Sequence, residues 1–278
     1  MGKRLDLLLF EKNLVETRSK AKQLIENGCV FVDDVVAKKP SVMIDETQKL
    51  EIKNSFLKYV SRAGNKLEKA LSVFNVSIEG KIVLDVGAST GGFTDCSLKN
   101  GAQKVIAVDV GSEQFSEKLR GDLRVDLYEK MDIRDIPDEV VSGAEVAVVD
   151  VSFISVLKIV EKLAGIRSIT DVLLLIKPQF ECGAEVARKT KGIVKDDRVY
   201  RQVIGQVVDG FSKQGFGLCG LDFSPVLGGD GNVEFLAHFN RRGAVKNQLE
   251  FSCLVSDVIC AAKNFRKEHE NASNNRKI

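Results

Sequence analysis

The sequence predicts an α/β protein in two parts: a doubly wound, mainly parallel sheet with helices between its strands, preceded by a small α+β unit. Three observations predict it. Four continuous apolar runs, Lys81–Asp85, Val105–Asp109, Val146–Asp150 and Val172–Ile176, read as strands buried on both faces, as parallel strands are. Helical spacing fills the intervals, as in Ile154–Leu163, and strand-helix alternation of this kind makes a parallel sheet. The first 53 residues behave differently, with two short helical stripes followed by a two-residue alternation. At 278 residues the chain has room for two domains, and 44% hydrophobic against 29% charged residues excludes wholesale disorder. No apolar run approaches the roughly 20 residues that span a bilayer, so no membrane insertion is expected.

In chain order, Leu5, Leu8 and Leu9 mark a first helix. Thr17 offers an N-cap to a second that carries Ala21, Leu24 and Ile25 and stops at Asn27-Gly28. Val30 and Val32 alternate, Asp33-Asp34 supplies a turn, and Val35, Ala37, Leu50 and Ile52 continue the period until about Lys53. Residues 54–60 link this unit to an amphipathic helix at Arg62–Phe74, with Leu67, Ala70, Leu71 and Phe74 on one face. The four buried strands follow. Asp196–Lys213 then reads as a helix, Phe216–Phe223 and Val233–Phe239 as final strands, and the polar stretch Phe265–Ile278 is expected to fray. The division is residues 1–60 for the small unit with its linker, 61–245 for the larger domain, and 246–278 for a C-terminal helix and polar tail.

Asp6, Glu11 and Lys12 interrupt the leucines after the basic start, so no signal-peptide apolar region forms and a cytoplasmic address is expected. The six cysteines are scattered without a C-x-x-C pair and read as reduced core thiols. With only His238 and His269 beside them, no metal site is expected. Net charge is +2, and its placement matters more than its size: residues 1–60 hold 11 basic and 9 acidic side chains, and the remainder 30 of each.

The most informative stretch is Leu84-Asp85-Val86-Gly87-Ala88-Ser89-Thr90-Gly91-Gly92-Phe93, where a strand enters, glycines let the backbone approach a ligand, and a helix begins near Gly92. The dinucleotide pattern G-x-G-x-x-G is not met, and by itself the loop is also readable as a tight turn without a ligand. Asp109, ending the next strand, suits a ribose diol because a carboxylate offers two acceptor oxygens. Asp132 is placed to receive an adenine amino group. Either acid is open to a second reading as a solvated strand end, but three acids after three alternating units favour ligand contact.

The loop Asp85–Thr94, together with Val149-Asp-Val-Ser-Phe-Ile-Ser155, Leu175-Ile-Lys-Pro-Gln-Phe-Glu181 and Gly231-Asn-Val-Glu-Phe235, resembles the TlyA family, often labelled hemolysin A and similar to FtsJ-type RNA 2′-O-methyltransferases. The N-terminal unit is similar to the S4 RNA-binding domain. The resemblance covers about residues 3 to 242 and implies a Rossmann-like fold that binds S-adenosylmethionine, acting on ribosomal RNA within ribosomal subunits, with the family pointing to a cytidine. It implies cofactor contacts from Asp85, Gly87, Ser89, Gly91, Gly92, Phe93, Asp109, Asp132 and Asp150.

The resemblance also implies a Lys-Asp-Lys-Glu catalytic set, here Lys66, Asp150, Lys177 and Glu234. A ribose hydroxyl is a poor nucleophile until deprotonated, so such a reaction needs a base and accurate positioning. A second lysine and a sulfonium nearby oppose the charged form of a lysine, which makes Lys177 the expected base, with Lys66 orienting ribose or phosphate and the two acids holding lysine rotamers. Plainer readings exist: Lys66 as a surface lysine paired one turn away, Lys177 as a strand end before Pro178. Glu234 in an apolar strand resists one, since an unpaired buried carboxylate is costly. For RNA, Arg4, Arg18, Lys20, Lys22 and Arg62 are the candidate phosphate contacts, against a solvated helix face diluted by Asp6, Glu11, Glu16 and Glu26. Residues 182–195 read as a long basic loop able to close over RNA and cofactor, or as an inert excursion. The rival class is a non-catalytic RNA-binding or membrane-active protein, for which the lysines would be dispensable.

Overall fold

The structure, a computed structural model, describes residues 2–15, 18–26, 28–52, 58–228, 231–243 and 248–274. Thr17, Asn27, Lys53 and linker residues 54–57 lie outside these, as does the side chain of Lys20. The chain divides into two compact units, Met1–Arg62 and Ala63–Ile278.

The first unit contains strand β1 (Lys3–Arg4), helices α1 (Leu5–Glu11) and α2 (Arg18–Glu26), and strands β2 (Val30–Val32), β3 (Val35–Val36), β4 (Met43–Ile44) and β5 (Leu50–Ile52). Leu5, Leu8, Leu9, Ala21 and Ile25 close on Val30 and Ile44 in a single small core, so the helical stripes do face inward. β2 lies between β3 and β5, antiparallel to both. Asp33 and Asp34 at the hairpin have φ of 47° and 63°, the double left-handed geometry whose twist matches two-residue hairpins. The β1–β4 pair is two residues on each side, too short for any periodicity to announce it.

The second unit runs α3 (Ala63–Phe74), β6 (Ile82–Val86), α4 (Gly92–Lys99), β7 (Lys104–Val108), α5 (Glu117–Arg120), β8 (Val125–Tyr128), α6 (Asp138–Val141), β9 (Val146–Val149), a 3₁₀ turn at Val156–Lys158, α7 (Val160–Gly165), β10 (Asp171–Ile176), α8 (Pro178–Glu181), α9 (Ala184–Lys189), α10 (Asp197–Lys213), β11 (Gly217–Phe223), β12 (Phe235–Asn240) and α11 (Gln248–Asn274). Its seven-stranded sheet has the order β8-β7-β6-β9-β10-β12-β11. The five strands from β8 to β10 are parallel, and β12 is antiparallel to both neighbours. The chain winds outward from β6 to β8 and returns on the other side at β9. The switch point therefore lies between β6 and β9, where such sheets open a crevice at the carboxyl ends of the strands.

Three expectations need correction. Phe265–Ile278 does not fray from Phe265, because α11 continues to Asn274. Val255, Val258, Ile259 and Ala262 anchor this helix in the core, and the Phe265 ring lies 5.4 Å from that of Phe223. Residues 182–195 are not a long loop, since they contain α9 and are pinned by the buried Asn232, whose amide donates to Gly192 O at 2.7 Å and accepts from Val194 N at 2.9 Å. Only Cys29, Cys96 and Cys182 are core thiols; Cys219, Cys253 and Cys260 are exposed.

Candidate active site

Four segments distant in sequence bring Lys66, Asp150, Lys177 and Glu234 into one cluster. Lys66 sits in the first turn of α3 and donates from Nζ to Glu234 Oε2 at 2.7 Å, with Asp150 Oδ2 at 3.9 Å. Lys177, just past β10, has its Nζ 2.6 Å from Asp150 Oδ1 and donates to Ser152 Oγ at 2.7 Å. Asp150 follows β9 and Glu234 immediately precedes β12. Lys66, Lys177 and Glu234 expose only 9%, 8% and 3% of their surfaces, so the charges are largely out of water. Alternating signs make that arrangement tolerable, because each buried charge faces an opposite one. Burial alone would push the Asp150 carboxyl up; the ammonium groups of Lys66 and Lys177 outweigh it and hold the group below the usual carboxylate range. The plainer reading of Lys66 fails, since its partner Glu234 comes from the far end of the chain rather than from the next turn.

Beside the cluster, at the switch point, opens a cleft of about 500 Å³. Gly87, Ser89, Asp109, Asp132 and Asp150 line it, with Val110, Met131, Ile133 and Phe153 supplying apolar walls. Asp109 accepts Ser89 N at 2.8 Å on Oδ2 and Gly111 N at 2.6 Å on Oδ1. Each oxygen keeps a second acceptor site for a ligand hydroxyl. Asp132 is clamped by its neighbour Arg134, at 2.9 Å and 2.6 Å, and the guanidinium draws its carboxyl below the usual range. Size, apolar walls and three carboxylates on the lining suit a cationic nucleoside such as S-adenosylmethionine.

Asp85, Gly91, Gly92 and Phe93 do not line the cleft. β6 extends one residue beyond the expected end, to Val86, so Asp85 points into the opposite face and is fully buried. Thr94 Oγ1 donates to its Oδ2 at 2.6 Å, and its Oδ1 has no partner. Burial pushes the Asp85 carboxyl up to about 7, with the charges of Asp150 and Asp109 adding to the effect. Gly91 serves packing: its φ is +88°, and a Cβ there would sit 2.6 Å from Leu119 Cδ1. Phe93 is a core residue.

A carboxyl whose folded value lies above its unfolded one stabilises the fold most at low pH and loses that contribution as pH rises, here between about 4 and about 7. Asp85→Asn removes the titration. Relative to the parent chain, the variant's melting temperature is therefore expected to rise by about 5 °C between pH 5 and pH 8. Calorimetry at the two pH values checks this, and a constant difference would count against a buried, protonated Asp85.

Sequence reasoning missed two residues that organise the cluster. Ser152 takes the Lys177 hydrogen bond, and Glu181 fastens the two motifs together, accepting Ser155 Oγ at 2.5 Å and Val156 N at 2.8 Å. Both stand inside the quoted motifs, but their contacts cross about 25 residues and carry no local pattern. Phe153, between them, has a left-handed φ of 65° and a largely exposed ring 5.1 Å from that of Phe180.

In the first unit, Asp6 is buried and binds Arg4 at 2.9 and 3.0 Å and Arg18 at 3.0 Å. These guanidiniums, Arg4 foremost, hold its carboxyl at about 2. Asp6 thus does more than dilute charge: it orders two exposed arginines on adjoining elements. Lys22 is exposed one turn beyond Arg18, and Arg62 is half-buried at the end of the unit.

The sheet order and the glycine loop at the switch point define a Rossmann-like fold, and the family match makes the class a methyltransferase. Residues 59–241 match the FtsJ-like methyltransferase family and residues 3–50 the S4 domain. The chain belongs to the FtsJ-like methyltransferase family and, by its relatives, to the TlyA proteins within it. It is 46% identical over 243 residues to the Bacillus subtilis protein named "Putative rRNA methyltransferase YqxC", covering 86% of each chain. It is 36% identical to "16S/23S rRNA (cytidine-2'-O)-methyltransferase TlyA" of Mycobacterium tuberculosis, covering 84% of this chain and 87% of that one. The solved structure named "Putative hemolysin from Streptococcus thermophilus" superposes with a TM-score of 0.74 at 40% identity, covering 97% of this chain and 98% of the other. Among the described residues no helix is long and apolar enough to cross a membrane.

Proposed function

We propose that the chain methylates a ribose 2′-hydroxyl of ribosomal RNA, a cytidine ribose, using S-adenosylmethionine, and that it acts on ribosomal subunits in the cytoplasm. The observation that carries this reading is the buried Lys66–Glu234 and Lys177–Asp150 cluster at the rim of a nucleoside-sized cleft. The names of the relatives support ribosomal RNA and cytidine. S-adenosylmethionine, when bound, supplies a methyl carbon activated for in-line displacement, the S–C electron pair leaving with sulfur. Asp109 would hold its ribose diol and Asp132 its adenine amino group, while the apolar walls exclude water from the ring. Lys177 removes the hydroxyl proton, and Asp150 fixes the rotamer of Lys177. Lys66, kept charged against Glu234, orients the target ribose or its phosphate. Arg4, Arg18, Lys22 and Arg62 supply phosphate contacts.

The test is transfer of labelled methyl from S-adenosylmethionine to isolated small and large ribosomal subunits, with Lys177→Ala as control. Label is expected as 2′-O-methylcytidine in RNA from at least one subunit, and none with the variant. Unlabelled RNA from both subunits would overturn the reading.

A further inference from the structure

We propose that Ser152 is a positioning residue that aims the lone pair of Lys177 at the substrate hydroxyl and passes on the proton that Lys177 collects. The inference rests on Lys177 being the base. A neutral amine at the end of a lysine has three directions around nitrogen besides its carbon: two N–H bonds and one lone pair. Ser152 Oγ accepts along one of them at 2.7 Å, and Asp150 Oδ1 stands 2.6 Å from Nζ as an ion pair without hydrogen-bond geometry. Both oxygens are electron-rich, so Ser152 takes an N–H, the nearby carboxylate repels the lone pair, and the lone pair is left on the side away from both. Without the Ser152 acceptor, rotation about Cε–Nζ interchanges one N–H with the lone pair, and only part of the population is oriented to react.

Ser152 is held well enough for this purpose. Phe153, next in the chain, turns the backbone through its left-handed φ of 65°. Three residues beyond Ser152, Ser155 is bonded to Glu181 at 2.5 Å, and Val156 N reaches the other oxygen at 2.8 Å. Glu181 closes the short helix that starts directly after Lys177, so donor and acceptor stand on two segments clamped to each other. Ser152 is also exposed on the cleft wall, whereas Lys177 is buried. Other charged groups of the cluster are Asp150 after β9, Lys66 on α3 and Glu234 before β12, and Lys177 has no hydrogen bond to either of the last two.

The proton balance closes on these groups. The 2′-O–H bond breaks, its electron pair staying on oxygen for the methyl carbon, and the proton joins Nζ through the lone pair. The resulting ammonium gives the proton it shares with Ser152 to Oγ, and Oγ releases its original proton to water at the exposed wall. Lys177 is then neutral again and Ser152 unchanged, with one proton delivered to solvent.

Ser152→Ala and Ser152→Thr in the full chain, assayed by labelled methyl transfer to the subunit that accepts it, test this. Ser152→Ala is expected to lower kcat by about 10- to 100-fold while KM for RNA and the calorimetric affinity for S-adenosylmethionine stay within about twofold. Ser152→Thr, which keeps the hydroxyl, is expected to recover most of kcat. An alanine variant with kcat within about threefold of the parent would sink the inference, and so would a loss carried wholly by KM or cofactor affinity, or a threonine variant no better than alanine. Lys177→Ala run alongside separates the failures. If it transfers methyl normally, the base assignment falls and this inference with it; if it is inactive while Ser152→Ala is active, only the role of Ser152 falls.

Discussion

Lys177→Arg is expected to bind ribosomal RNA and S-adenosylmethionine as the parent chain does, yet to transfer methyl at least about a thousandfold more slowly, within the range that removal of a general base produces. The substitution keeps a positive charge opposite Asp150 and keeps donors for Ser152, so the electrostatic frame of the cluster survives. What it removes is the ability to become neutral, since a guanidinium does not lose its proton in a protein. The charges of Lys66 and Lys177 outweigh burial and hold the Asp150 carboxyl below the usual carboxylate range, and an arginine at 177 keeps an opposing charge there, so the comparison isolates the cation. Single-turnover transfer, with filter binding and calorimetry on the same preparations, provides the check. An arginine variant with appreciable activity would mean that Lys177 acts only through its charge, leaving solvent as proton acceptor.

How far such a site is legible from sequence depends on what holds each residue. Lys66, Asp150, Lys177 and Glu234 were readable because they stand in distinctive motifs, and three of them lie where strands of the mainly parallel sheet begin or end, Asp150 and Lys177 after parallel strands and Glu234 before the antiparallel β12. Asp85 shows the limit of that rule. The same strand-end reasoning that led to Asp109 and Asp150 fails there by a single residue of strand length, and the period of two then turns the side chain to the other face. Ser152 and Glu181 carry no periodic signal, because their partners are set by how two strand-end segments meet rather than by local pattern. The C-terminal helix was expected but its length was not: its buried Val255, Val258, Ile259 and Ala262 repeat at helical spacing, but the charged residues after Lys263 suggested a tail where aromatic contacts in fact extend the helix.

Gly87→Ala is expected to abolish detectable cofactor binding and methyl transfer together, unlike any change to the lysines. Gly87 has a φ of +85°, where an L side chain is strained by roughly 1 kcal/mol or more. Sterics add more. A Cβ at this position would lie 2.8 Å from the Asp150 carbonyl oxygen and 3.2 Å from Val151 Cα, and both neighbours are backbone and cannot swing aside as a side chain would. Relief therefore requires β6 and the segment after β9 to part at the switch point. That motion pulls on Asp150, whose N–H bonds to Val86 O at 3.0 Å and whose carboxylate faces both lysines. One methyl group thus disturbs the cleft wall and the catalytic cluster at once. Gly205→Ala, on α10 with open space around its Cβ, is the matched control and is expected to stabilise the fold by about 0.5–1 kcal/mol with activity unchanged. Calorimetric titration with S-adenosylmethionine and thermal unfolding of both variants decide the matter: a Gly87→Ala chain that binds the cofactor within about threefold of the parent would show that the β6 and β9 ends can separate at little cost, and that the close backbone approach at Gly87 does not shape the site.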